Sequence, residues 1–230
     1  MPRDVGAIVV AAGRGARVGG APKQYRPIAG VPLVLRALRP FTAHPDVAQV
    51  VLVLPPADAA APPAFLVELR GEGLVLVPGG EERSDSVAAG LAALGRECTV
   101  VLVHDGARPF VDRAVIDEVI RHARQGEGAI AAVPLSDTVK EADAGEPNRV
   151  ARTVPRERLW RAQTPQGFPR ELLVRAHGRA GLDGAAFTDD ASLVEASGGI
   201  VRLVPDSSRN LKITTAEDFA LAELLAGAAE

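Results

Sequence analysis

Cysteine and aromatic residues are scarce in this chain of 230 residues, and each shortage excludes classes of protein. Cys98 is the one cysteine, which excludes an internal disulfide framework and any cysteine-rich metal site. Aromatic residues make up 3% of the chain, too few for the stacking platforms that bind single-stranded nucleic acid. The formal net charge of −3 also argues against a nucleic-acid partner, because such a binder presents a basic surface.

Long apolar runs are missing as well. No stretch approaches the roughly 18 uninterrupted apolar residues of a membrane span. The apolar segment Val5–Ala12 is short for a signal peptide, and the charges of Asp4 before it and Arg14 after it favour a buried strand. Hydrophobic content of 47% and charged content of 24% are ordinary for a folded domain. We therefore expect a soluble, cytoplasmic, globular protein with no membrane partner.

Apolar β-branched runs alternate with helical patterns along the chain. The predicted strands are Val5–Val10, Val47–Leu54, Leu74–Val77, Thr99–Val103, Ala129–Val133 and Ile200–Val204. The predicted helices are Pro32–Phe41, Pro63–Arg70, Ser84–Leu94, Asp112–Gln125, Pro169–Ala180, Asp189–Ser197 and a last one that opens on a capping-box spacing at Thr214–Glu217. Five glycines are candidate left-handed helix caps: Gly71, Gly95, Gly126, Gly181 and Gly198. The alternation predicts a doubly wound α/β sheet.

The segment Pro134–Arg161 interrupts this alternation. It is long for a connection inside a compact domain, and such insertions usually serve function or association. The short β-prone pieces Asp137–Lys140 and Asn148–Thr153 predict a two-stranded arm that leaves the sheet, with an ordinary surface excursion as the alternative. We expect one domain over residues 1–230, with residues 134–161 inserted in it.

The turn after the first strand is rich in glycine and carries the cations Arg17 and Lys23. Glycine lets a backbone wrap closely around a phosphate and point its N–H groups inward. A dinucleotide-binding fingerprint needs an acid at the end of the second strand, which here ends in Leu54-Pro55-Pro56, and a Walker loop needs a Gly-Lys-Ser or Gly-Lys-Thr sequence that is absent. A plain flexible turn would not need both cations, so phosphate binding is the favoured interpretation.

The third predicted strand ends in Gly79-Gly80, directly before a helix. A helix N-terminus favours acceptor groups such as phosphate oxygens. Capping of the helix by Ser84 or Ser86 explains the same pattern equally well, and both interpretations stay open.

The fourth predicted strand leads into His104-Asp105. A carboxylate beside a buried strand is costly unless it is paired or binds a metal, so we expect Asp105 to meet Arg108 or a cation. His104 is predicted to be a packed histidine, because no second histidine lies near it in the sequence.

Lysine is rare among the basic residues. Of the 26 lysine and arginine residues, three are lysine: Lys23, Lys140 and Lys212. An ammonium group is a compact point charge that an arginine does not copy. The small number could be chance, but it favours Lys23 and Lys212 as residues that take part in chemistry.

Eight short motifs in sequence order resemble one family, that of the 2-C-methyl-D-erythritol 4-phosphate cytidylyltransferases of the non-mevalonate isoprenoid pathway. The motifs are Ala11-Ala12-Gly13-x-Gly15-x-Arg17, Pro22-Lys23-Gln24-Tyr25, Gly79-Gly80-x-x-Arg83-x-Asp85-Ser86-Val87, His104-Asp105-x-Ala107-Arg108-Pro109, Asp137-Thr138-x-Lys140, Leu159-Trp160-x-Ala162-Gln163-Thr164-Pro165-Gln166, Thr188-Asp189-Asp190-Ala191-Ser192 and Asn210-Leu211-Lys212-Ile213-Thr214. Each motif is modest alone, but eight in order are specific.

This resemblance implies a Rossmann-like, mostly parallel sheet of the nucleotidyltransferase type. It implies an enzyme that transfers CMP from CTP to 2-C-methyl-D-erythritol 4-phosphate and releases pyrophosphate. It further implies dependence on Mg²⁺ and a homodimer joined through the arm of residues 134–161. The alternatives are a cytidylyltransferase for a related pentitol phosphate and a nucleotide-binding regulatory module without catalysis.

The resemblance also implies roles for individual residues. The residues that would stabilise the transition state or position the substrate phosphate are Arg17, Lys23, Arg156 and Lys212. The residues that would contact the cytidine part are Ala11, Ala12, Gly80 and Ser86, and Gly13, Gly15 and Glu81 are further substrate-binding candidates. The residues that would surround the methylerythritol part are Asp105, Arg108, Thr138 and Thr164, with Thr138 and Arg156 supplied by the partner's arm. Asp105 is the candidate metal ligand.

Three residues depart from the family pattern. Glu81 stands where the family often has aspartate, which leaves the contacts to the base open. Gly106 replaces a common alanine and Val18 a common methionine, and both replacements are expected to be tolerated. The chemistry implied by the resemblance agrees with the residues present. A phosphate monoester is already a nucleophile, so the reaction needs cations that offset negative charge rather than a Ser-His-Asp triad.

Overall fold

The computed structural model describes residues 3–13, 22–69, 73–183 and 187–227. Gly15 and Arg17 lie outside the described residues. In chain order the elements are β1 (Val5–Val10), β2 (Pro27–Ile28), β3 (Val31–Pro32), α1 (Leu33–Thr42), β4 (Val47–Leu54), α2 (Pro56–Ala60), α3 (Ala64–Val67), β5 (Leu74–Pro78), α4 (Arg83–Ala93), β6 (Val100–Asp105), α5 (Arg113–Arg124), β7 (Gly128–Pro134), β8 (Val139–Ala142), β9 (Val150–Val154), β10 (Trp160–Pro169), α6 (Arg170–Asp183), α7 (Asp190–Ala196), β11 (Val201–Pro205) and α8 (Ala216–Gly227).

A seven-stranded sheet forms the centre of the molecule, with the strand order β11-β7-β10-β6-β1-β4-β5. Strand β1 is parallel to both β4 and β6, and β11 is parallel to β7. Strand β10 is antiparallel to its neighbours β6 and β7. The predicted α/β class with a mostly parallel sheet is therefore confirmed. The chain leaves β1 for β4 on one side and returns to β6 on the other, so a crevice opens at the carboxyl ends of β1 and β6.

The sheet is buried on both faces because successive apolar side chains of each strand point to opposite sides. In β1, Ala7 and Val9 belong to the core cluster under α1 and α5, whereas Ile8 belongs to the cluster under α4, α6 and α7. The continuous apolar strands predicted from the sequence owe their pattern to these two cores.

Strand β10 was not predicted, and its polar side chains explain why. Gln163, Thr164 and Gln166 are all buried, yet they break any apolar run in the sequence. Each makes hydrogen bonds inside the protein; Gln166, for example, donates to Asp189 at 2.8 Å. A pattern of apolar residues misses a strand whose burial depends on tertiary hydrogen bonds. The Thr164–Pro165 peptide bond in this strand is cis.

Several predicted helix boundaries need correction. The predicted helix Pro63–Arg70 is the short α3, and α2 before it and the β2–β3 hairpin were not predicted. Gly126 (φ 92°) and Gly198 (φ 83°) take the left-handed conformation as predicted. The prediction of a left-handed cap at Gly95 is wrong, because the C-cap of α4 is Leu94, whose backbone is extended. The prediction for Gly181 is wrong because α6 continues through it. Gly71 lies outside the described residues.

The caps of two helices also differ from the predicted ones. Glu82 is the N-cap of α4, and its N–H donates to Asp85 at 3.0 Å, so neither Ser84 nor Ser86 caps this helix. In α8 the reciprocal partners are Thr215 and Asp218 rather than Thr214 and Glu217. A shift by one residue is invisible to a spacing rule, because Asp218 is as good an acceptor as Glu217.

The predicted two-stranded arm is present. Strands β8 and β9 pair antiparallel in a separate two-stranded sheet, and their side chains are almost all exposed. Charged pairs link the two strands, among them Arg152 and Glu141 at 2.6 Å.

A third, smaller core joins the C-terminal helix to the hairpin β2–β3. Ile28 and Leu33 pack against Phe219 and Ala222 of α8, and Ile213 completes the cluster. Ile28 follows the turn that carries Lys23 and Ile213 directly follows Lys212, so this core packs both segments against α8. In the part of the chain that the structure describes, no helix is long and apolar enough to cross a membrane.

Candidate active site

A cleft of about 450 Å³ opens at the carboxyl ends of β1 and β6. Its lining comes from the end of β1, the turn at Lys23, the start of α4, the end of β6 and the segment before α8. The lining residues are Val10, Ala11, Ala12, Gly13, Lys23, Gln24, Gly80, Glu81, Glu82, Arg83, Ser86, Asp105, Gly106, Ala107, Lys212 and Thr214. The cleft therefore lies at the switch point of the strand order, where open α/β sheets bind ligands.

The ends of β1 and β6 approach each other closely at Gly106. Its N–H donates to the carbonyl of Val10 at 2.8 Å. A Cβ at this position would lie 2.9 Å from the Cβ of Ala11 and 3.1 Å from the Val10 carbonyl oxygen. Gly106 therefore lets β1 and β6 approach this closely. The alanine that is common in the family would fit here only after a small shift of the chain.

The turn between β5 and α4 also comes close to β1. A Cβ at Gly79 would lie 2.4 Å from the Cβ of Ala12 and 2.7 Å from Ser86 Oγ. Ser86 is 2% exposed, and its Oγ accepts from the N–H of Gly80 at 3.3 Å and donates to the Glu82 carbonyl at 3.2 Å. Ser86 thus holds the glycine turn against the helix.

Asp105 is the centre of a charge cluster in the floor of the cleft. Its Oδ2 lies 2.8 Å from Lys212 Nζ and 3.8 Å from Arg108 Nε, and its Oδ1 lies 3.4 Å from Arg83 Nε. Burial alone would raise the pKa of Asp105, but Lys212, Arg83 and Arg108 outweigh it and hold that pKa well below its usual range. The expectation that Asp105 meets Arg108 or a cation is confirmed, with two more cations than the sequence indicated.

Behind Asp105 lies a buried polar network. Nε2 of His104 donates to the Arg108 carbonyl at 2.9 Å, so Nδ1 of the neutral ring accepts from the Thr164 hydroxyl at 3.0 Å. Thr164 Oγ1 also accepts from the N–H of Asp105 at 3.0 Å. Burial lowers the pKa of His104 to about 4. His104 is thus the packed histidine that the sequence predicted.

Arg108 continues this network toward the segment before α8. Its Nη1 donates to the carbonyl of Asn210 at 2.7 Å, which also accepts from Gln163 Nε2 at 2.9 Å. Burial lowers the pKa of Arg108, although Asp105 opposes that change. Three buried polar atoms of this network have no hydrogen-bond partner among the described residues: Arg108 Nε, Gln163 Oε1 and Asn210 Oδ1.

Lys23 lies across the cleft from α4, in a 3-10 turn over Lys23–Tyr25. Its Nζ donates to the carbonyl of Ile213 at 2.7 Å, while the N–H of Ile213 donates to the Ala107 carbonyl at 2.8 Å. Tyr25 and Gln24 fix the turn from its other side, since both donate to Asp58 of α2, at 2.7 and 3.4 Å. The ammonium group is therefore held between two distant parts of the chain.

Most of the site residues predicted from the sequence meet in this cleft. Those that line it are Ala11, Ala12, Gly13, Lys23, Gly80, Glu81, Ser86, Asp105 and Lys212. Arg108 and Thr164 lie behind Asp105 in the buried network. Thr138 and Arg156 are exposed at the base of the arm, where Arg156 donates to the Ser136 carbonyl, and they are not among the residues that line the cleft of their own chain.

The cleft also contains residues to which the sequence assigned no role. Among them, Arg83 stands out because it joins two carboxylates, Asp105 and Asp190. Burial disfavours its charge, but Asp190 and Asp105 raise its pKa on balance. Arg83 belongs to a recognised motif, but nothing in the spacing showed that Asp190 would lie beside it.

No group of three or more histidine, cysteine, aspartate or glutamate side chains placed to hold a metal occurs within residues 3–13, 22–69, 73–183 and 187–227. Asp105, the metal ligand predicted from the sequence, is therefore not part of such a group among these residues.

Comparison with known proteins agrees with the geometry. The model of the family described as 2-C-methyl-D-erythritol 4-phosphate cytidylyltransferase matches residues 5–227. The protein of that name from Streptomyces coelicolor is 45% identical over 232 residues, which cover 96% of this chain and 84% of that protein. The chain belongs to the 2-C-methyl-D-erythritol 4-phosphate cytidylyltransferase family.

Other relatives and solved structures extend this result. A bifunctional enzyme IspD/IspF from Desulforudis audaxviator is 49% identical over 97% of this chain, which spans 57% of that longer protein. The crystal structure of a 4-diphosphocytidyl-2C-methyl-D-erythritol synthase from Anaerococcus prevotii has a TM-score of 0.85 at 28% identity, with 97% of this chain and 96% of that chain covered. A 2-C-methyl-D-erythritol 4-phosphate cytidylyltransferase structure from Thermus thermophilus has a TM-score of 0.78 at 36% identity, with 96% and 98% covered.

Membership of the family gives the chain its activity. It is a nucleotidyltransferase that transfers a cytidylyl group from CTP to 2-C-methyl-D-erythritol 4-phosphate in the non-mevalonate pathway. The family match thereby decides between the methylerythritol and pentitol substrates that the sequence left open, and it removes the alternative of a regulatory module.

Proposed function

We propose that the cleft between β1, α4 and β6 is where this cytidylyl transfer takes place, with Lys23 and Lys212 on either side of the reacting phosphates. The observation that carries the proposal is the convergence of Lys23, Lys212 and Arg83 on one cleft that glycine turns border on two sides. Arg17 lies outside the described residues and follows Gly13, which lines the cleft, closely in the sequence. Arg17 is proposed to add a fourth cation to the cleft.

In the proposed reaction, an oxygen of the substrate phosphate attacks the α-phosphorus of CTP. A new P–O bond forms, the bond from the α-phosphorus to the bridging oxygen breaks, and pyrophosphate leaves with that electron pair. The attacking oxygen is already anionic, so no side chain has to remove a proton from it. Catalysis then depends on position and on cations that offset the charge of the crowded phosphates.

The two ends of CTP require different surroundings. The cytosine is proposed to contact the backbone of Ala11, Ala12 and Gly80, with Ser86 holding the Gly80 turn in place. Glu81 lines the same wall and is proposed to face the base or ribose. Backbone groups fixed in this way discriminate cytosine from uracil, because uracil would leave the groups that match the N4 amine unpaired.

The methylerythritol part is proposed to lie beside Asp105, Arg108 and Thr164. Asp105 lines the cleft, and Arg108 and Thr164 lie behind it in the same polar network. The hydroxyl groups of a polyol both donate and accept hydrogen bonds, so they match the side chains of this network.

Mg²⁺ fits the donor set as a metal held mainly by the nucleotide. Magnesium usually binds through one or two carboxylates together with substrate phosphates, and Asp105 is the buried carboxylate of the cleft. We propose that Asp105 and the triphosphate would hold it, Asp105 giving up part of its contact with Lys212. When bound, the metal would withdraw negative charge from the phosphate oxygens.

The arm of residues 134–161 is proposed to complete the site of a second copy of the chain. Its side chains are almost all exposed, including Val150 at 56%. Thr138 and Arg156 have no place in the cleft of their own chain, which supports their supply from the partner's arm in a homodimer. The single-domain organisation, a cytoplasmic location and the lack of a nucleic-acid partner stay predictions.

A pyrophosphate-release assay tests the proposed function. CTP, UTP, ATP and GTP are each supplied with 2-C-methyl-D-erythritol 4-phosphate, and CTP alone is then supplied with a pentitol 5-phosphate. We expect rapid release with CTP and methylerythritol phosphate and far slower release in every other reaction. Comparable rates with UTP would contradict the proposed base contacts, and a faster reaction with the pentitol phosphate would contradict the proposed polyol site.

A further inference from the structure

A row of alternating charges runs from the interior of the protein to the cleft. The carboxylate of Asp190 accepts from Arg83 Nη1 at 2.7 Å. Arg83 Nε in turn lies 3.4 Å from Asp105 Oδ1, and Asp105 Oδ2 lies 2.8 Å from Lys212 Nζ. Asp190 is fully buried and lies outside the cleft, so it reaches the ammonium group of Lys212 through two other side chains.

Asp190 is fixed in place more firmly than a surface carboxylate could be. It occupies the first turn of α7, and Gln166 of β10 fastens that turn by accepting from the N–H of Ala191 at 3.1 Å and donating to Asp189 at 2.8 Å. The second oxygen of Asp190 lies 3.3 Å from His177 Nε2. A buried carboxylate with both oxygens engaged has little freedom to move.

Arg83 divides its hydrogen bonds between the two carboxylates, and the shorter contact is to Asp190. Its guanidinium is planar, so fixing one edge of it on Asp190 also fixes the edge that meets Asp105. Without Asp190, Arg83 would be free to turn fully toward Asp105. It would then compete with Lys212 for the same carboxylate, and Lys212 would lose the partner that orients it.

We propose that Asp190 is a positioning residue for Lys212, acting through Arg83 and Asp105. This inference rests on the role proposed above for Lys212 in the transfer step. The competing explanation is structural only: in it, Asp190 does no more than fasten α7 to α4.

The first test compares Asp190→Asn with Ser192→Ala. Ser192 lies in the first turn of the same helix, and its Oγ donates to the Asp189 carbonyl at 2.8 Å, so its replacement weakens the start of α7 without touching Arg83 or Gln166. We expect kcat to fall by about a hundredfold in Asp190→Asn, because a displaced catalytic group is costly. KM for CTP should stay within about threefold of wild type. Ser192→Ala should lower the thermal unfolding midpoint but leave kcat near wild type.

The second test places each substitution in a Lys212→Ala background, with turnover followed by transfer of label from CTP. If Asp190 acts through Lys212, Asp190→Asn should lower kcat by no more than about twofold once Lys212 is gone, because the two effects share one path. A structural role predicts the opposite, namely a loss that persists unchanged in the double variant. That persistence, or wild-type kcat in the single Asp190→Asn variant, would overturn the proposal.

Asp190→Glu covers the case in which Asp190→Asn does not fold. It keeps the buried negative charge but displaces the carboxylate by one methylene. We therefore expect kcat to fall measurably, though by less than about tenfold, and this loss should vanish in the Lys212→Ala background. Wild-type kcat in this variant would overturn the proposal. Lys212→Ala alone separates the two levels of inference: if it turns over normally, the proposed function of the lysine fails, whatever Asp190 does.

Discussion

At the scale of single residues, Lys23 and Lys212 each donate a hydrogen bond at the cleft, but to different kinds of acceptor. Lys23 donates to a backbone carbonyl, that of Ile213, whereas Lys212 pairs with the carboxylate of Asp105. Both contacts orient an ammonium group: the Ile213 carbonyl fixes the direction of Lys23, and the Asp105 carboxylate fixes the direction of Lys212. Both positive charges are thereby held at the cleft, where they can offset a developing negative charge.

Lys23→Ala is expected to reduce kcat by about a thousandfold or more, because the charge of Lys23 matters most in the transition state. Binding of CTP to the variant, measured by calorimetry, should weaken far less than kcat falls. Arg39→Ala removes a cation from the exposed side of α1 and serves as the control, with kcat near wild type. Near-normal turnover in Lys23→Ala would refute the proposed role.

His104 gives the protein a defined sensitivity to acid. Its pKa in the folded protein is about 4, below the roughly 6.5 of an exposed histidine. Between these two values the unfolded chain binds a proton that the folded protein does not, so stability falls as the pH falls through this window. His104 alone should therefore cost about 2 kcal/mol between pH 7.5 and pH 5.

Urea unfolding of wild type and His104→Asn at a series of pH values measures this effect. The variant is expected to be less stable than wild type at pH 7.5, because it loses the packing against Phe41 and the bond to Thr164. The difference between the two proteins should shrink by about 2 kcal/mol toward pH 5. A difference that stays constant with pH would show that His104 titrates normally.

At the scale of elements, the start of α8 supports the segment that carries Lys212. The carboxylate of Asp218 accepts from the N–H and the hydroxyl of Thr214, at 2.7 and 2.8 Å, and from the N–H of Thr215 at 2.9 Å. Thr214 lines the cleft, two residues after Lys212. The helix cap is therefore also part of the wall of the site.

Asp218→Ala is expected to destabilise the protein by about 1–2 kcal/mol, the usual cost of losing a helix cap. It should also raise KM for CTP, because the wall at Thr214 loosens. Glu217→Ala is the matched control, since Glu217 is the neighbouring acid that the spacing rule selected. Thermal unfolding of both variants checks this, and an equal or larger loss in Glu217→Ala would contradict the observed cap.

At the scale of the whole molecule, the arm raises the question of how many chains make one site. Arg156 and Thr138 lie on the arm, while Lys23 and Lys212 lie on the sheet. If the arm reaches across a two-fold axis, each site needs Arg156 from the neighbouring chain, and symmetry makes both sites equivalent.

Co-expression of Lys23→Ala and Arg156→Ala chains tests this arrangement. In a mixed dimer with shared sites, one site carries both substitutions and the other carries neither. Activity should then recover to roughly a quarter of wild type, when half of the dimers are mixed and one site of each works. If the arm folds onto its own chain, every site keeps one substitution, so no recovery despite demonstrated subunit exchange would count against shared sites.

The positions of the strands and of most cleft residues could be predicted from local pattern. Apolar runs buried on both faces specify β1, β4 and β6 with boundaries close to the observed ones, because each strand carries its own pattern. Ala11, Gly80, Asp105 and Lys212 follow strands or precede a helix, and an open α/β sheet gathers such ends at one edge. The motifs then indicated the family before any contact was known.

The contacts between residues far apart in the sequence were decided only by the tertiary structure. Strand β10 is buried through hydrogen bonds of Gln163 and Gln166 to distant residues, so no apolar pattern in the sequence predicts it. Arg83 and Asp190 are separated by 107 positions, and their contact exists because α4 and α7 cover the same face of the sheet. The sequence determines which groups are present and near which strand end. The balance of charge around Asp105 is set by distances in the folded chain, since electrostatic energy depends on separation and burial rather than on order along the chain.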